Sequence, residues 1–348
     1  SHAHNVVAVS HVQDHPKEDI DMRFVKTFAL LIGLFAFTLG TASAAETVLK
    51  FGHVGAPGSL FQMSADHFAK LVAKKSNGKI KIQVYGSSQL GNDTEMLQKI
   101  KLGTLDFSLP STVMSSQVPA FGLFEMPYLV KDRAHMKRIA KKVFWPDLAP
   151  IAEKKGYKII GLWENGFRQI TNNVRPIRVP ADLKGIKLRT PKGKWRVKMF
   201  QAYGANPSPM ALSEVFVALH TGVMDGEENP LIQIYSQKFQ EVQKYLSLSS
   251  HVYTPAYVVV SPNKWKSWPK SVRKVLWESA HETTPWVYKT AAKLDESLIG
   301  KLKAAGMKVN KVDKDAFIKA SKPIYEEFSK EVPEGGKWIA ECQKLRNE

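Results

Sequence analysis

The sequence predicts an α/β protein of two lobes, and three observations support this fold class. Beyond residue 44, segments with strand-like alternation are separated by segments with helical spacing, which is typical of a sheet flanked by helices. The pattern starts again near residue 158, so a second unit follows the first. The 304 residues from 45 to 348 also suit two domains of ordinary size.

Residues 22–44 have the features of a cleavable signal peptide. Two basic residues precede an apolar run from Phe28 to Gly40, and small residues precede a predicted cleavage site near Ala44 and Ala45. A retained membrane anchor is the alternative, but the run of 13 residues is shorter than the roughly 20 needed to span a bilayer. Residues 1–21, polar and rich in histidine, form an upstream extension with no expected role in folding or export.

The first unit alternates three predicted strands with two predicted helices. Val48 to Val54 is a predicted strand, and apolar spacing predicts a helix from Leu60 to Lys75 that ends at Asn77-Gly78. Ile80, Ile82 and Val84 alternate with polar residues in a second strand. A helix from Asp93 to Leu102 and a strand from Leu105 to Leu109 complete a doubly wound sheet, which binds ligands beyond the carboxyl ends of its strands.

The second unit begins with strands at Lys158 to Trp163 and Ile186 to Arg189. A helix follows from Trp195 to Tyr203, and Ser213 is a predicted N-cap for a helix from Glu214 to His220. Asn229-Pro230 predicts the start of another helix.

That next helix is expected to be long, because apolar residues recur at helical spacing as far as Tyr245. Its length would let it bridge two lobes. Tyr257 to Val260 reads as a strand, and a long helical region runs from Pro269 to about Ala304.

The chain is therefore expected to cross between the lobes more than once. We assign residues 45–165 and 255–295 to lobe I, and residues 166–254 and 296–348 to lobe II. Such crossings make hinge strands.

The composition excludes some classes of protein. The full chain carries a net charge of +18; residues 1–44 hold three basic and four acidic side chains, so the remainder carries +19. The lysines are scattered without an arginine-rich run or an interleaved aromatic motif, so no nucleic-acid partner is expected. Cys342 is the single cysteine, which leaves stability to packed cores rather than an intramolecular disulfide.

Arg168 and Arg189 are the main candidate site residues. A guanidinium group presents paired donors that match a carboxylate, and both arginines end short apolar segments. The structural alternative is an ion pair with a nearby acid, such as Glu164 or Asp182. Asn229 joins them at the predicted start of a helix, where its oxygen could cap the helix and leave its amide nitrogen free to donate.

Signatures of enzymes are weak. The sequence has no phosphate loop, no dinucleotide fingerprint and no nucleophile elbow. His281-Glu282 lacks the second histidine of a zinc protease motif and is expected on a helix surface. Asp225, Glu227 and Glu228 could form a metal site, but a solvated or capping turn is the expected reading. No cofactor is predicted.

Several longer motifs resemble one family, the solute receptors of tripartite ATP-independent periplasmic (TRAP) transporters, in their dicarboxylate-binding (DctP-type) group. They occur in the expected order and extend over essentially the whole chain after the signal segment: Ser87 to Gly91, Met126 to Leu129, Gly166 to Asn173, Asp182 to Pro191 and Gly204 to Pro230. The resemblance implies a two-lobe periplasmic binding protein fold, type II-like, with hinge strands and a long lobe-bridging helix.

The resemblance also implies a role for individual residues. It makes Arg189 the residue that grips the ligand carboxylate, Arg168 the second basic position and Asn229 the pocket asparagine. Asp93 and Ser111 lie where relatives place ligand-contacting residues in the first lobe.

Three further residues complete the predicted site. Leu212 falls on a pocket-wall position, and His53 and Trp163 are candidate pocket neighbours, although core packing explains Trp163 equally well. Sialic acid is not expected, because its receptors carry an acid at the position of Ser111 and an asparagine at that of Val54.

The sequence thus predicts a periplasmic receptor rather than an enzyme. Its ligand would be a small organic acid, a C4-dicarboxylate or a hydroxy or keto acid, passed to integral-membrane TRAP subunits. The alternatives are a secreted hydrolase or lyase that uses Asp93, His53 or the acids of residues 225–228, and a receptor for an ATP-driven importer. Monomer and dimer are both left open.

Overall fold

The computed structural model describes residues 46–348, and the predicted signal peptide and its cleavage site lie outside them. The strands of the described part form one mixed sheet in the order β2-β1-β3-β9-β4-β7-β5-β6, with β8 paired to β4 and β10 paired to β8. Their bounds are β1 Thr47–Gly52, β2 Ile80–Tyr85, β3 Phe107–Ser108, β4 Lys158–Asn172, β5 Lys187–Thr190, β6 Asn206–Pro209, β7 Gly226–Pro230, β8 Tyr245–Leu248, β9 Tyr253–Val260 and β10 Lys308–Lys311.

Helices cover this sheet. The α-helices are α1 Leu60–Lys75, α2 Asp93–Leu102, α3 Met114–Gln117, α4 Arg133–Ile139, α5 Ala149–Lys154, α6 Lys194–Ala202, α7 Leu212–His220, α8 Leu231–Ser236, α9 Pro262–Ser267, α10 Lys270–Ala304, α11 Lys314–Ala320, α12 Lys322–Glu331 and α13 Gly335–Lys344. Among the described residues, no helix is both long and apolar enough to cross a membrane.

Strand β4 joins the two halves of the sheet. Its residues 158–167 pair antiparallel with β9, and its residues 168–172 pair with β7 and β8. We call β1, β2, β3 and β9 the first sheet half and β5, β6, β7, β8 and β10 the second. Parallel pairs in both halves, β1 with β2 and β3, and β5 with β6 and β7, bring two sets of carboxyl ends to the centre of the molecule.

Local sequence explains the first helices. Ser59 caps α1 by accepting a hydrogen bond from the backbone of Gln62, and Gly78 follows the helix with a φ of +76°. At α2, Asn92 and Glu95 form a reciprocal capping box. Both helices have the predicted bounds, whereas the predicted third strand shrinks to the two residues of β3.

The helix predicted after Asn229 is corrected by the structure. Helix α8 ends at Ser236, Lys238 adopts a left-handed φ of +60°, and Tyr245 begins β8. Phe239 is fully buried beyond the end of this helix, so the helical spacing here reflects the burial of successive short elements. The long helix is α10, which contacts β4 and α1 as well as α8 and β10.

The start of helix α7 also differs from the prediction. It begins at Leu212 with Ala211 at the N-cap position and no side-chain cap, so Ser213 lies inside the first turn.

An aromatic cluster forms the core of the first sheet half. Phe51, Phe68 and Phe107 lie with ring centroids 5.9 Å apart, and Trp163 packs on the first two. The indole nitrogen of Trp163 donates to the Ala280 carbonyl at 2.9 Å. This bond ties β4 to α10, because a buried indole N–H needs an acceptor.

Candidate functional site

A small cavity of about 40 Å³ lies where carboxyl ends from both sheet halves meet. Six of the eight sequence-predicted site residues line it, namely Asp93, Ser111, Arg168, Arg189, Leu212 and Asn229. Two larger grooves in the described part of the chain, of about 640 and 480 Å³, contain no buried arginine. The smaller cavity is therefore the candidate site.

Arg189, near the end of β5, carries a buried charge that is in direct contact with no carboxylate of the described residues. Its Nε and Nη2 donate to the Met210 carbonyl at 3.0 and 2.7 Å, and no carboxylate of the described residues lies within 4 Å of it. Burial and the neighbouring Arg168 lower the pKa of Arg189 to about 10, so the side chain stays protonated at neutral pH. A buried cation of this kind favours an anionic ligand.

Arg168 lies on β4 and is paired, as the structural alternative supposed, but with a different acid. Its Nε donates to Glu228 Oε2 at 2.6 Å, and its Nη2 donates to the carboxylate and to the backbone carbonyl of the same residue. Glu164 instead pairs with Arg133, and Asp182 binds backbone amides. Only Nη1 of Arg168 has no hydrogen-bond acceptor among the described residues.

Glu228 is the centre of a buried ionic network. Arg196 donates to both of its oxygens at 2.8 Å, and His251 contacts it at 2.9 Å. Burial alone would raise its pKa, but Arg168 and Arg196 hold the pKa of Glu228 well below its usual range. Arg196 also contacts Glu125 at 2.8 Å, so two arginines face two glutamates.

Asn229 lies in β7, opposite Gln169 of β4, and does not cap a helix. Pro230 occupies the position before α8, and the Asn229 amide nitrogen donates to Glu227 Oε2 at 2.5 Å. The prediction that the Asn229 oxygen caps a helix and leaves the amide nitrogen free is therefore wrong, because the nitrogen donates to Glu227. Burial raises the pKa of Glu227 to about 7.

Asp93 begins α2, and its carboxylate reaches the cavity from the first sheet half. The residue is half-buried, yet its Oδ1 is fully buried with no hydrogen-bond partner among the described residues. Burial raises the pKa of Asp93 to about 7, although the positive charge of Arg189 acts in the opposite direction and lowers it.

Ser111 is already committed to the protein as a donor. Its hydroxyl donates to the Pro255 carbonyl at 2.6 Å and accepts from Asn165 Nδ2 at 3.3 Å. Towards a ligand it can therefore offer only a lone pair.

The remaining predicted residues differ in position. Leu212 lines the cavity at the start of α7. His53 and Trp163 are fully buried outside the lining, His53 with its Nδ1 accepting from the Gly55 amide and Trp163 in the aromatic cluster. Burial lowers the pKa of His53 to about 4, so its ring is neutral at neutral pH.

Sequence reasoning missed three polar residues of the lining, Thr112, Asn165 and Gln233. All three are buried, and Thr112 Oγ1, Asn165 Oδ1 and Gln233 Oε1 have no hydrogen-bond partner in residues 46–348. A signal existed for two of them, because Asn165 interrupts an apolar strand and Gln233 interrupts the apolar face after Pro230.

Glu227 and Glu228 do not lie in the solvated or capping turn that the sequence suggested, whereas Asp225 lies at a bend and accepts a hydrogen bond from the Lys187 amide. Glu227 and Glu228 lie fully buried in β7, because the ion pairs and hydrogen bonds described above replace their water. In the part of the chain that the structure describes, no group of three His, Cys, Asp or Glu side chains is placed to hold a metal ion. His281 and Glu282 lie on α10, as expected.

Comparisons with known proteins agree with this architecture. The family model described as "Bacterial extracellular solute-binding protein, family 7" (DctP) matches residues 51–331. The 2,3-diketo-L-gulonate-binding periplasmic protein of Escherichia coli K12 is 34% identical over 313 residues, which cover 89% of this chain and 95% of that protein.

Solved structures of TRAP periplasmic solute binding proteins share the two-lobe fold. One from Polaromonas sp. JS666, bound to D-erythronate, is 36% identical with a TM-score of 0.82 and covers 86% of this chain and 98% of its own. Another from Sulfurospirillum deleyianum, with bound succinate, is 34% identical with the same TM-score and covers 86% of this chain and 99% of its own. The chain belongs to family 7 of the bacterial extracellular solute-binding proteins, the periplasmic receptors of TRAP transporters.

Proposed function

We propose that this receptor captures a small organic acid, a C4-dicarboxylate or a hydroxy or keto acid, through a clasp between Arg189 and the ligand carboxylate. Arg168 adds a second contact through its free Nη1, and Asn229 sets the orientation of the ligand. Asp93 and Ser111 close over it from the first sheet half. The acid is then delivered to the integral-membrane subunits of the transporter.

The observation that carries this proposal is the state of Arg189. The Arg189 guanidinium is only 3% exposed and, within residues 46–348, is bound by a single carbonyl, which leaves N–H groups without acceptors in a low-dielectric site. A carboxylate supplies both the missing charge and paired acceptors. The three relatives named above are associated with 2,3-diketo-L-gulonate, D-erythronate and succinate, and all three of these ligands are carboxylates.

We further propose that lobe I comprises residues 45–165 and 255–295, and lobe II residues 166–254 and 296–348. The lobes close about β4 and β9, and residues 22–44 are removed on export. The family consists of transport receptors, so the alternative of a secreted hydrolase or lyase is not retained.

Ligand binding can be tested by thermal shift against a panel of mono- and dicarboxylic acids, followed by calorimetry. A bound acid at 100 times its Kd stabilises the fold by about 2.7 kcal/mol. Arg189→Ala should weaken the affinity for every acid by about a hundredfold or more, since two charged hydrogen bonds are lost.

The matched control is Arg178→Ala, which removes an exposed arginine outside the cavity and should leave affinity unchanged. Unaltered affinity in Arg189→Ala, or no shift with any carboxylate, would refute the clasp.

A further inference from the structure

The charge balance of the cavity singles out Arg189. Arg168 and Arg196 face Glu228 and Glu125, so their positive charges are matched within the protein. His251, the other basic group of this network, is neutral at neutral pH because burial lowers its pKa to about 4. Arg189 is therefore the one arginine of the lining without an acid partner in residues 46–348. Arg189 can therefore pair directly with one carboxylate of a ligand, although Asp93 and Glu227 partly offset its charge from a greater distance.

Besides the donors of Arg168 and Thr112, the wall presents three hydrogen-bond acceptors. Asp93 Oδ1, Asn165 Oδ1 and Gln233 Oε1 are buried without a partner in the described residues. The orientation of Asn165 is set by its neighbours: Ser111 gives its proton to the Pro255 carbonyl, so its oxygen must accept from Asn165 Nδ2. The amide oxygen of Asn165 is then left for the ligand.

A second carboxylate is disfavoured on the side of the cavity that Asp93 occupies. It would bring its own acceptor oxygens beside Asp93, at the cost of charge repulsion and of leaving buried acceptors unpaired. Hydroxyl groups are donors and satisfy the same atoms.

The size of the cavity bears on the length of the ligand and not on its second functional group. Its volume of about 40 Å³ corresponds to about three water molecules by the same measure. A short acid fits this space better than a six-carbon one.

Granted the carboxylate clasp proposed above, we infer that the preferred ligand is a short monocarboxylic acid with hydroxyl groups on the carbons next to its carboxylate. Asp93 accepts a hydrogen bond from one of these hydroxyls and disfavours dicarboxylates. The carboxylate lies on Arg189, and the hydroxyls face the acceptors of the opposite wall.

Calorimetry with matched four-carbon acids tests this inference. The probes are erythronate and threonate, which present both relative hydroxyl configurations, with succinate and butyrate for comparison. The measurement is made at pH 8, where Asp93 and Glu227 are both ionised because the raised pKa of each is about 7. At least one of the two trihydroxy acids should bind about tenfold more tightly than succinate and than butyrate, a difference of about 1.4 kcal/mol.

Two outcomes separate this inference from the proposed function. If succinate binds as tightly as the trihydroxy acids, and Arg189→Ala abolishes its binding, the clasp stands and the hydroxy-acid preference is wrong. If none of the four acids binds but another carboxylate does, the clasp likewise stands and the hydroxy-acid preference is wrong; if no carboxylate binds, both proposals fail.

Asp93→Asn tests the role of the carboxylate itself. The variant should narrow the preference for the trihydroxy acid over succinate by about tenfold, because the charge that repels a second carboxylate is gone. The cap of α2 is formed by Asn92 and Glu95, so the helix is retained, as a thermal unfolding curve would verify. Asp315→Asn is the control, since Asp315 is an exposed acid in the first turn of α11. An unchanged preference in Asp93→Asn would refute its role.

Discussion

Arg168 and Arg189 lie on strands that flank β7, and they differ in what neutralises them. Glu228 accepts hydrogen bonds from both Nε and Nη2 of Arg168, whereas the only acceptor that Arg189 contacts in the described part of the chain is the Met210 carbonyl. Removing one member of a buried ion pair leaves the other member charged and unsolvated, which is costly. At the scale of single residues, therefore, Arg168 supports the fold, and Arg189 is available to a ligand.

Unfolding of two variants by denaturant, without ligand, should separate these roles. Arg168→Ala leaves Glu228 short of one of its two arginines and should lower the free energy of unfolding by about 3 to 5 kcal/mol. Arg189→Ala loses hydrogen bonds to one carbonyl and should change it by less than about 1.5 kcal/mol. Equal losses in the two variants would contradict this division.

Among the secondary-structure elements, β4 most directly determines the geometry of the site. Its pairing with β9 shifts register between Ile159 and Gly161 and again between Glu164 and Gly166. Gly166 has a φ of +126°, a conformation that residues with a Cβ rarely adopt. The second shift falls at Asn165 and precedes Arg168 along the strand, so this irregularity helps to set where both reach the cavity.

Gly166→Ala should destabilise the protein by about 1 to 3 kcal/mol, because the strained backbone is retained and the new methyl group lies 3.3 Å from Pro230 Cβ. Gly300→Ala is the matched control, since it lies inside α10 and an added Cβ there meets nothing within 4 Å. It should gain up to about 1 kcal/mol from helix propensity. Chemical denaturation measures the free energy of unfolding of both variants. An unchanged free energy in Gly166→Ala would show that the bulge tolerates a side chain.

In the whole molecule, the C-terminal segment packs across elements that are far apart in sequence. The Cys342 carbonyl contacts a ring nitrogen of His135 at 2.7 Å, and Arg346 donates to the Tyr128 carbonyl at 2.9 Å. Helix α12 packs against α6, and α13 packs near residues 119–125. Cys342 is fully buried by this packing, and burial raises the pKa of its thiol to about 12.

The thiol of Cys342 should therefore report the integrity of the folded molecule. We expect no reaction with a thiol reagent under native conditions and complete reaction in denaturant, because both access and ionisation require opening. Ser297→Cys places a second thiol on the exposed face of α10 and should react at once in the native protein. Rapid labelling of Cys342 in the native wild-type protein would show that the C-terminal packing opens readily.

Local signals in the sequence were sufficient for much of the fold. The helices Leu60–Lys75 and Asp93–Leu102 carry their caps and apolar spacing within their own residues, so their bounds were predicted correctly. The apolar spacing after Pro230 led to the wrong prediction of one long helix. The periodicity of buried residues does not distinguish such a helix from several short elements that pack on the same core.

By itself, the sequence determined the family, the α/β class and six residues of the cavity, because ordered motifs and strand ends are properties of contiguous segments. Only the tertiary structure decided that Arg168 forms an ion pair with Glu228, 60 residues away. It also decided that Arg189 has no acid partner in the described chain. It likewise decided that Asn165 and Gln233 turn unpaired oxygens to the site. Charge compensation depends on distances between side chains brought together by folding, and those distances are not encoded in any one segment.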